Sequence, residues 1–396
     1  MKKYMILFLL ILLLTGCKFY DEYEMPEEVS IELSDKEFEV YSEGNTIKDL
    51  ISDSNVEITN EDKELNTNKT GKKEIEIEYK YKKRDYKYVV NYKIIDTKAP
   101  VIMKYSGYRA TLVNEEIDLC EGVSSIDNYD RKPKCSIEGD YDLSTPGIYY
   151  LKYAVTDKSG NKSNEDLTFE VLSELKDGDP DTEPYEYTFT LFDEIEEKYK
   201  DQDVMLGIDV SVWQGDVDFE KVKEDGAEFV IIRMAYSDTE TPIVLDTRFK
   251  ENIKKAKEAG LKVGVYVYTS ANSTEEAIKQ AKFIKKNLNK TKLDFPIVFD
   301  FEEWSDFNSL KMNSHDLLER VNEYKSILEK DGYDMMIYGS KWYLENVWLP
   351  NDYDTWLAHY TDNTDYQGEY VLWQICSDGL IDGINGYVDF DIYYKK

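Results

Sequence analysis

The sequence predicts a multi-domain protein: all-β sandwiches in the N-terminal half, followed by an α/β domain whose strands close into a small, irregular barrel. Three observations carry this. Period-two alternation dominates residues 27–172, short apolar strands alternate with amphipathic helices from Met205 onward, and an acidic stretch divides the two patterns. The chain has 396 residues, 41% hydrophobic and 33% charged, enough to bury more than one core, which excludes wholesale disorder. Forty-nine Lys and Arg stand against 81 Asp and Glu, a formal net charge of −32. Such a surface repels phosphate backbones, so nucleic acid is not an expected partner. With only two histidines, carboxylates must carry any acid/base chemistry.

The first element is a targeting segment. Lys2 and Lys3 precede an apolar run from Tyr4 to Leu14, too short to span about 30 Å of hydrocarbon, so residues 1–16 read as a signal peptide. The run ends in Leu14-Thr15-Gly16-Cys17, which resembles the lipobox of bacterial lipoproteins. That resemblance implies that Cys17 is acylated and becomes the first residue, anchoring the protein by lipid to the extracellular face of the cell membrane. An ordinary cleaved signal with a chance cysteine is the alternative. Residues 17–26 are a polar tether.

Two β-modules follow. Val29-Ser30-Ile31-Glu32-Leu33 and Glu74-Ile75-Glu76-Ile77-Glu78-Tyr79 alternate with period two and place the first at residues 27–96. The second, residues 97–172, carries turn signals at Asp127-Asn128, Pro146-Gly147 and Ser159-Gly160-Asn161. Its opening Thr97-Lys98-Ala99-Pro100 and its closing strands from Ser144 to Asp157 resemble bacterial Ig-like surface repeats, and both modules are of sandwich size. Cys120 and Cys135, fifteen apart outside the cytoplasm, are expected to form a disulfide whose role is structural and confined to the second module. Cys376, in an apolar strand pattern, reads as a buried hydrophobe. The two modules together are expected to act as a stalk.

Residues 173–203 are acidic, with Gly178, Pro180 and Pro184 and an apolar run only around Phe189 to Ile195; they read as a linker. From 204 to 396 the alternation runs through strands at Leu206–Val210, Phe229–Arg233, Val263–Tyr268, Phe295–Glu302, Met335–Tyr338, Trp356–Ala358, Val371–Ile375 and Val388–Ile392. Helices are expected near Phe219–Asp225 and at Arg248–Ala259, Glu275–Leu288 and Asp316–Glu329. Eight strands with little helix in the last third suggest an irregular TIM-like barrel. An open doubly wound sheet is the rival, weakened by the lack of a Gly-x-Gly-x-x-Gly after the first strand.

Chemistry concentrates at strand ends. Asp300 and Glu302 close an apolar strand two residues apart, so both side chains share a face. Two carboxyls so placed resist ionising together, and one protonated acid beside one ionised acid suits glycoside hydrolysis. Asp209 ends the first strand and Asp389 lies in the last, neighbours once a barrel closes. Tyr268, Tyr338, Trp356 and Gln374 occupy similar strand-end positions. The set describes an acidic groove lined by rings on which the apolar faces of sugars stack.

At these residues a resemblance becomes specific. Gly207-Ile208-Asp209-Val210-Ser211, Tyr266-Val267-Tyr268, Pro296 to Glu302, Tyr338-Gly339-Ser340, Trp356 to Tyr360, Trp373-Gln374 and Val388-Asp389 are similar, in order, to glycoside hydrolase family 25, the Chalaropsis-type lysozymes. The resemblance covers roughly residues 204–394. It implies an N-acetylmuramidase that cuts the β-1,4 bond between N-acetylmuramic acid and N-acetylglucosamine in peptidoglycan, with Glu302 as general acid and Asp300, Asp209 and Asp389 shaping and charging the site. It implies peptidoglycan glycan strands as partner, no cofactor, no metal, and no part for the β-modules. Two other readings share these residues. A non-catalytic glycan-binding lipoprotein would keep the aromatics and tolerate loss of Glu302, and a divalent-metal hydrolase would use the carboxylates as hard ligands.

Overall fold

The computed structural model describes residues 25–174, 189–238, 241–302 and 307–395. The signal peptide and the Cys17 lipidation site expected from the sequence lie outside the described residues. The chain forms two compact units, one ending at Thr97 and one beginning at Lys98. Among the described residues no helix is long and apolar enough to cross a membrane.

The first unit is built on a long hairpin, Gly71–Tyr81 against Arg84–Ile95, antiparallel throughout. Its alternation turns Ile75, Ile77 and Tyr79 into the core, where Phe38 and Ile94 join them. Lys82 and Lys83 make the turn with φ of 46° and 68°, the left-handed pair that a two-residue hairpin demands. Lysine reaches that region at some cost, and the sequence carries no glycine to announce it.

The second unit contains two sheet systems. The β-module has a four-stranded sheet, ordered Lys134–Glu138, Gly147–Thr156, Lys162–Leu172 and Tyr108–Leu112, and a separate pair of Val101–Lys104 with Ser124–Ile126. Leu151, Tyr153, Leu167 and Phe169 fill its core. The Asp157 carboxylate accepts from the backbone N–H of Ser159 and Asn161 and so closes the expected turn. Cys120 and Cys135 are disulfide-bonded.

The other system is a ring of eight strands: β1 (Val204–Val210), β2 (Phe229–Tyr236), β3 (Lys262–Tyr268), β4 (Ile297–Asp300), β5 (Met335–Ser340), β6 (Asp354–Ala358), β7 (Leu372–Leu380) and β8 (Val388–Tyr394). Neighbours from β1 to β7 are parallel. β8 runs antiparallel to both β7 and β1 and closes the ring. Closure removes every free edge among these eight strands, and it excludes the open doubly wound alternative. Gly207 in β1 is required by close approach, because a Cβ there would lie 2.5 Å from the Phe229 carbonyl oxygen.

Two features differ from the sequence expectation. Part of the stretch read as a linker is folded: Thr190–Leu191 pairs with β7, and helix α1 (Phe192–Tyr199) buries Phe192, Ile195 and Tyr199. These apolar residues fall at helical spacing, but the acids between them mask the pattern. The β-module is also joined to the ring. Met103 and Ile126 share an apolar cluster with ring residues, and Arg131 pairs with Asp316 at the start of helix α2 (Ser314–Leu328). Two beads on a stalk would not share a core.

Candidate active site

The ring gathers the strand-end acids at one end, the C-terminal end of its parallel strands. Asp209 on β1 stands opposite Asp389 on β8 in register. Asp300 ends β4, beside Tyr268 of β3 and Tyr338 of β5. Glu302 follows two residues later, near enough for the two carboxyls to perturb each other's ionisation. The sequence spacing therefore delivered an interacting pair.

Burial governs the charge of these groups. Asp300 is 5% exposed, and burial, then the Glu302 charge, hold it well above the usual carboxylate range. Glu302 is raised by burial, partly offset by its interaction with Asp300. The pair thus retains a proton to higher pH than either acid would in water. Asp209 is pushed well up by burial and by the charges of Asp389 and Asp391, against a hydrogen bond from Gln374. Asp389 is raised to about 6, by burial first and then, against its own backbone N–H, by the Glu302 charge.

Gln374 on β7 holds the polar network. Its Oε1 accepts from the Tyr338 and Tyr360 hydroxyls at 2.9 and 3.0 Å, and its Nε2 donates to Asp209 Oδ2 at 2.7 Å. Two donors on the amide oxygen fix its orientation, so the nitrogen must face Asp209. Trp356 on β6 meets the Tyr338 ring at 4.9 Å, edge to face. It is buried, so this ring braces the site from below and offers no stacking face to a ligand. That departs from the sequence expectation of an exposed sugar platform. The reason is position: Trp356 precedes the end of β6 by two residues, and its Nε1 donates inward to Asp391 at 2.9 Å.

Four residues escaped the sequence reading. Asp391, on the same face of β8 as Asp389 and two residues further along, is 1% exposed and sits inside the ring near Asp389 and Asp209. Arg233 on β2 draws Asp300 back down and is itself held by Asp246 at 2.8 Å. A lone cation within Phe229-Val230-Ile231-Ile232-Arg233-Met234 was a usable signal. Tyr360, 54% exposed, and Trp213, 81% exposed, stand on loops after β6 and β1, at the same end as the acids. A cleft of about 1080 Å³ lies elsewhere, between the β-module and the ring, and none of the site acids lines it.

Comparison with known proteins adds an independent line. A family model described as glycosyl hydrolases family 25 matches residues 208–384. YegX of Escherichia coli (strain K12), an uncharacterized protein, is 33% identical over 193 residues, 47% of this chain and 68% of YegX. An autolytic lysozyme of Clostridium acetobutylicum is 30% identical over 190 residues, 47% of this chain and 55% of that protein. A family 25 glycosyl hydrolase structure from Bacillus anthracis aligns with 50% of this chain and 91% of its own, at 21% identity and a TM-score of 0.42.

Proposed function

Through residues 208–384 the chain belongs to glycosyl hydrolases family 25, and we propose that this glycoside hydrolase is a muramidase that cuts the β-1,4 bond between N-acetylmuramic acid and N-acetylglucosamine in peptidoglycan. The observation that carries the reading is the pair of neighbouring carboxyls, Asp300 and Glu302, at the mouth of the closed sheet, both held above the usual carboxylate range by burial. In this reading Glu302, the less buried partner, is the general acid that protonates the glycosidic oxygen. Asp300 then carries the negative charge that steadies the developing oxocarbenium ion or orients the sugar's acetamido group. Asp209 and Asp389 line the groove beside the pair, and Gln374 holds Asp209 in place. Tyr360 and Trp213 supply the exposed rings for sugar faces, with Tyr268 and Tyr338 below. No step calls for a metal or cofactor.

The wider reading keeps the ring as an irregular TIM-like barrel, the N-terminal modules as Ig-like, and Cys17 as a lipid-bearing residue that places the enzyme on the outer face of the membrane. The Leu14-Thr15-Gly16-Cys17 spacing supports the last point.

Glu302→Gln tests the central claim. An amide cannot donate the proton, and loss of a general acid costs about 10²–10⁴-fold in rate. Mass spectrometry of fragments from purified peptidoglycan should show muramic acid at the new reducing ends with the wild type and no release with the variant. Activity within threefold of wild type would refute the role of Glu302. Reducing ends at glucosamine would refute the bond assignment.

A further inference from the structure

The β-module of the second unit reaches the reacting acids through packed side chains. Ile126, on the strand Ser124–Ile126, is 1% exposed and belongs to the apolar cluster that holds Phe301, Phe307 and Leu310. That strand lies against the short helix Phe307–Leu310. The Phe307 ring sits 5.8 Å from that of Phe301, the residue between Asp300 and Glu302. A few residues on, the same module grips the chain again. Asn313 Nδ2 donates to the Tyr129 carbonyl at 2.8 Å, and the Ser314 N–H donates to the Asp127 carbonyl at 2.9 Å. Arg131 forks onto Asp316, its Nη2 donating to Oδ1 at 2.7 Å and its Nε to Oδ2. Asp316 is 7% exposed and the Arg131 side chain 51% exposed, so the bidentate pair is desolvated on its carboxylate side. Every module residue in these contacts lies between Cys120 and Cys135.

We infer that the disulfide-closed loop of the β-module positions the Asp300–Glu302 pair, with Arg131 as the positioning residue that locks it to the ring. The loop fixes the chain leaving the catalytic strand at Phe307 and again at Asn313–Asp316. Misplacing a reacting group by about 1 Å is enough to cost on the order of 10²-fold in rate. The inference rests on the hydrolase reading, and it contradicts a purely structural disulfide.

The test uses the full chain and soluble peptidoglycan glycan fragments, comparing wild type, Arg131→Ala and Arg131→Lys after folding is checked by circular dichroism. Arg131→Ala should lower kcat about tenfold while KM stays within about twofold, and should move the alkaline limb of the pH–rate profile. Arg131→Lys, which restores charge without the fork, should recover part of kcat. Unchanged kcat and pH profile in a folded Arg131→Ala protein would overturn the inference. If that variant does not fold, reduction of the native disulfide decides: a kcat loss reversed on reoxidation supports positioning, and full activity in the reduced, folded protein overturns it. If the wild type hydrolyses nothing, the hydrolase reading fails by itself. Positioning is then read from Glu302 titration by carboxyl-carbon NMR, with Glu302→Gln assigning the signal: a shift in Arg131→Ala supports it and an unchanged titration overturns it.

Discussion

Among single side chains, Asp391 shows how burial decides what an acid does. It lies inside the ring, receives a hydrogen bond from Trp356, and is held well above the usual carboxylate range by burial and by Asp389. A carboxyl whose burial favours the protonated form is nearly isosteric with an amide. Asp391→Asn should therefore keep activity within about threefold, whereas Asp391→Leu strands the Trp356 donor at a cost of about 1–3 kcal/mol in stability, both read by denaturant melts and turnover. Asp389 makes the complementary case. Its folded value of about 6 exceeds that of an unfolded aspartate, so the folded state binds the proton more tightly. The sign follows: this group's contribution is present below the unfolded value and is lost as pH rises through about 6. Between pH 4.5 and 7 Asp389→Asn should flatten a downward trend in stability with pH, measured by differential scanning calorimetry. The four acids at strand ends were legible in the sequence because spacing and strand pattern place them. Gln374's role as the hub between two tyrosines and Asp209 was not legible, because it depends on three strands and a loop meeting in space.

The elements tell a similar story about what pattern reveals. Strands β1 to β8 and the long helices matched their expected places closely, because apolar runs bounded by turn residues survive inspection one segment at a time. Helix α1 did not survive it. Its outward positions Asp193, Glu194, Glu196 and Glu197 are acidic, and over eight residues only three apolar side chains mark the inner face. Phe192 is 1% exposed and meets Phe390 at 5.0 Å, edge to face. Phe192→Ala should destabilise the second unit by about 3–5 kcal/mol, visible as a lower urea midpoint with an unchanged slope. A true linker residue would show no effect. The helix Phe307–Leu310 was equally invisible to periodicity, being one turn long, yet it couples the β-module to the catalytic strand.

Over the whole molecule, the extent of the spacer changes. Two independent modules were expected ahead of the enzyme, but the second shares a core with the ring. Cys17→Ser should release active protein into the medium with unchanged turnover on soluble glycan. Retention of that variant in the membrane fraction would place the anchor elsewhere. The closure of the ring by β8 has a consequence for how the chain is made. Ribosomes extend the protein from β1 toward β8, and β8 alone carries Asp389 and Asp391. Until the final strand has emerged, β1 and β7 have no partner between them, and the groove lacks a wall and two of its carboxyls. A chain truncated before β8 therefore lacks the strand that closes the ring and two of the carboxyls that gather at the groove.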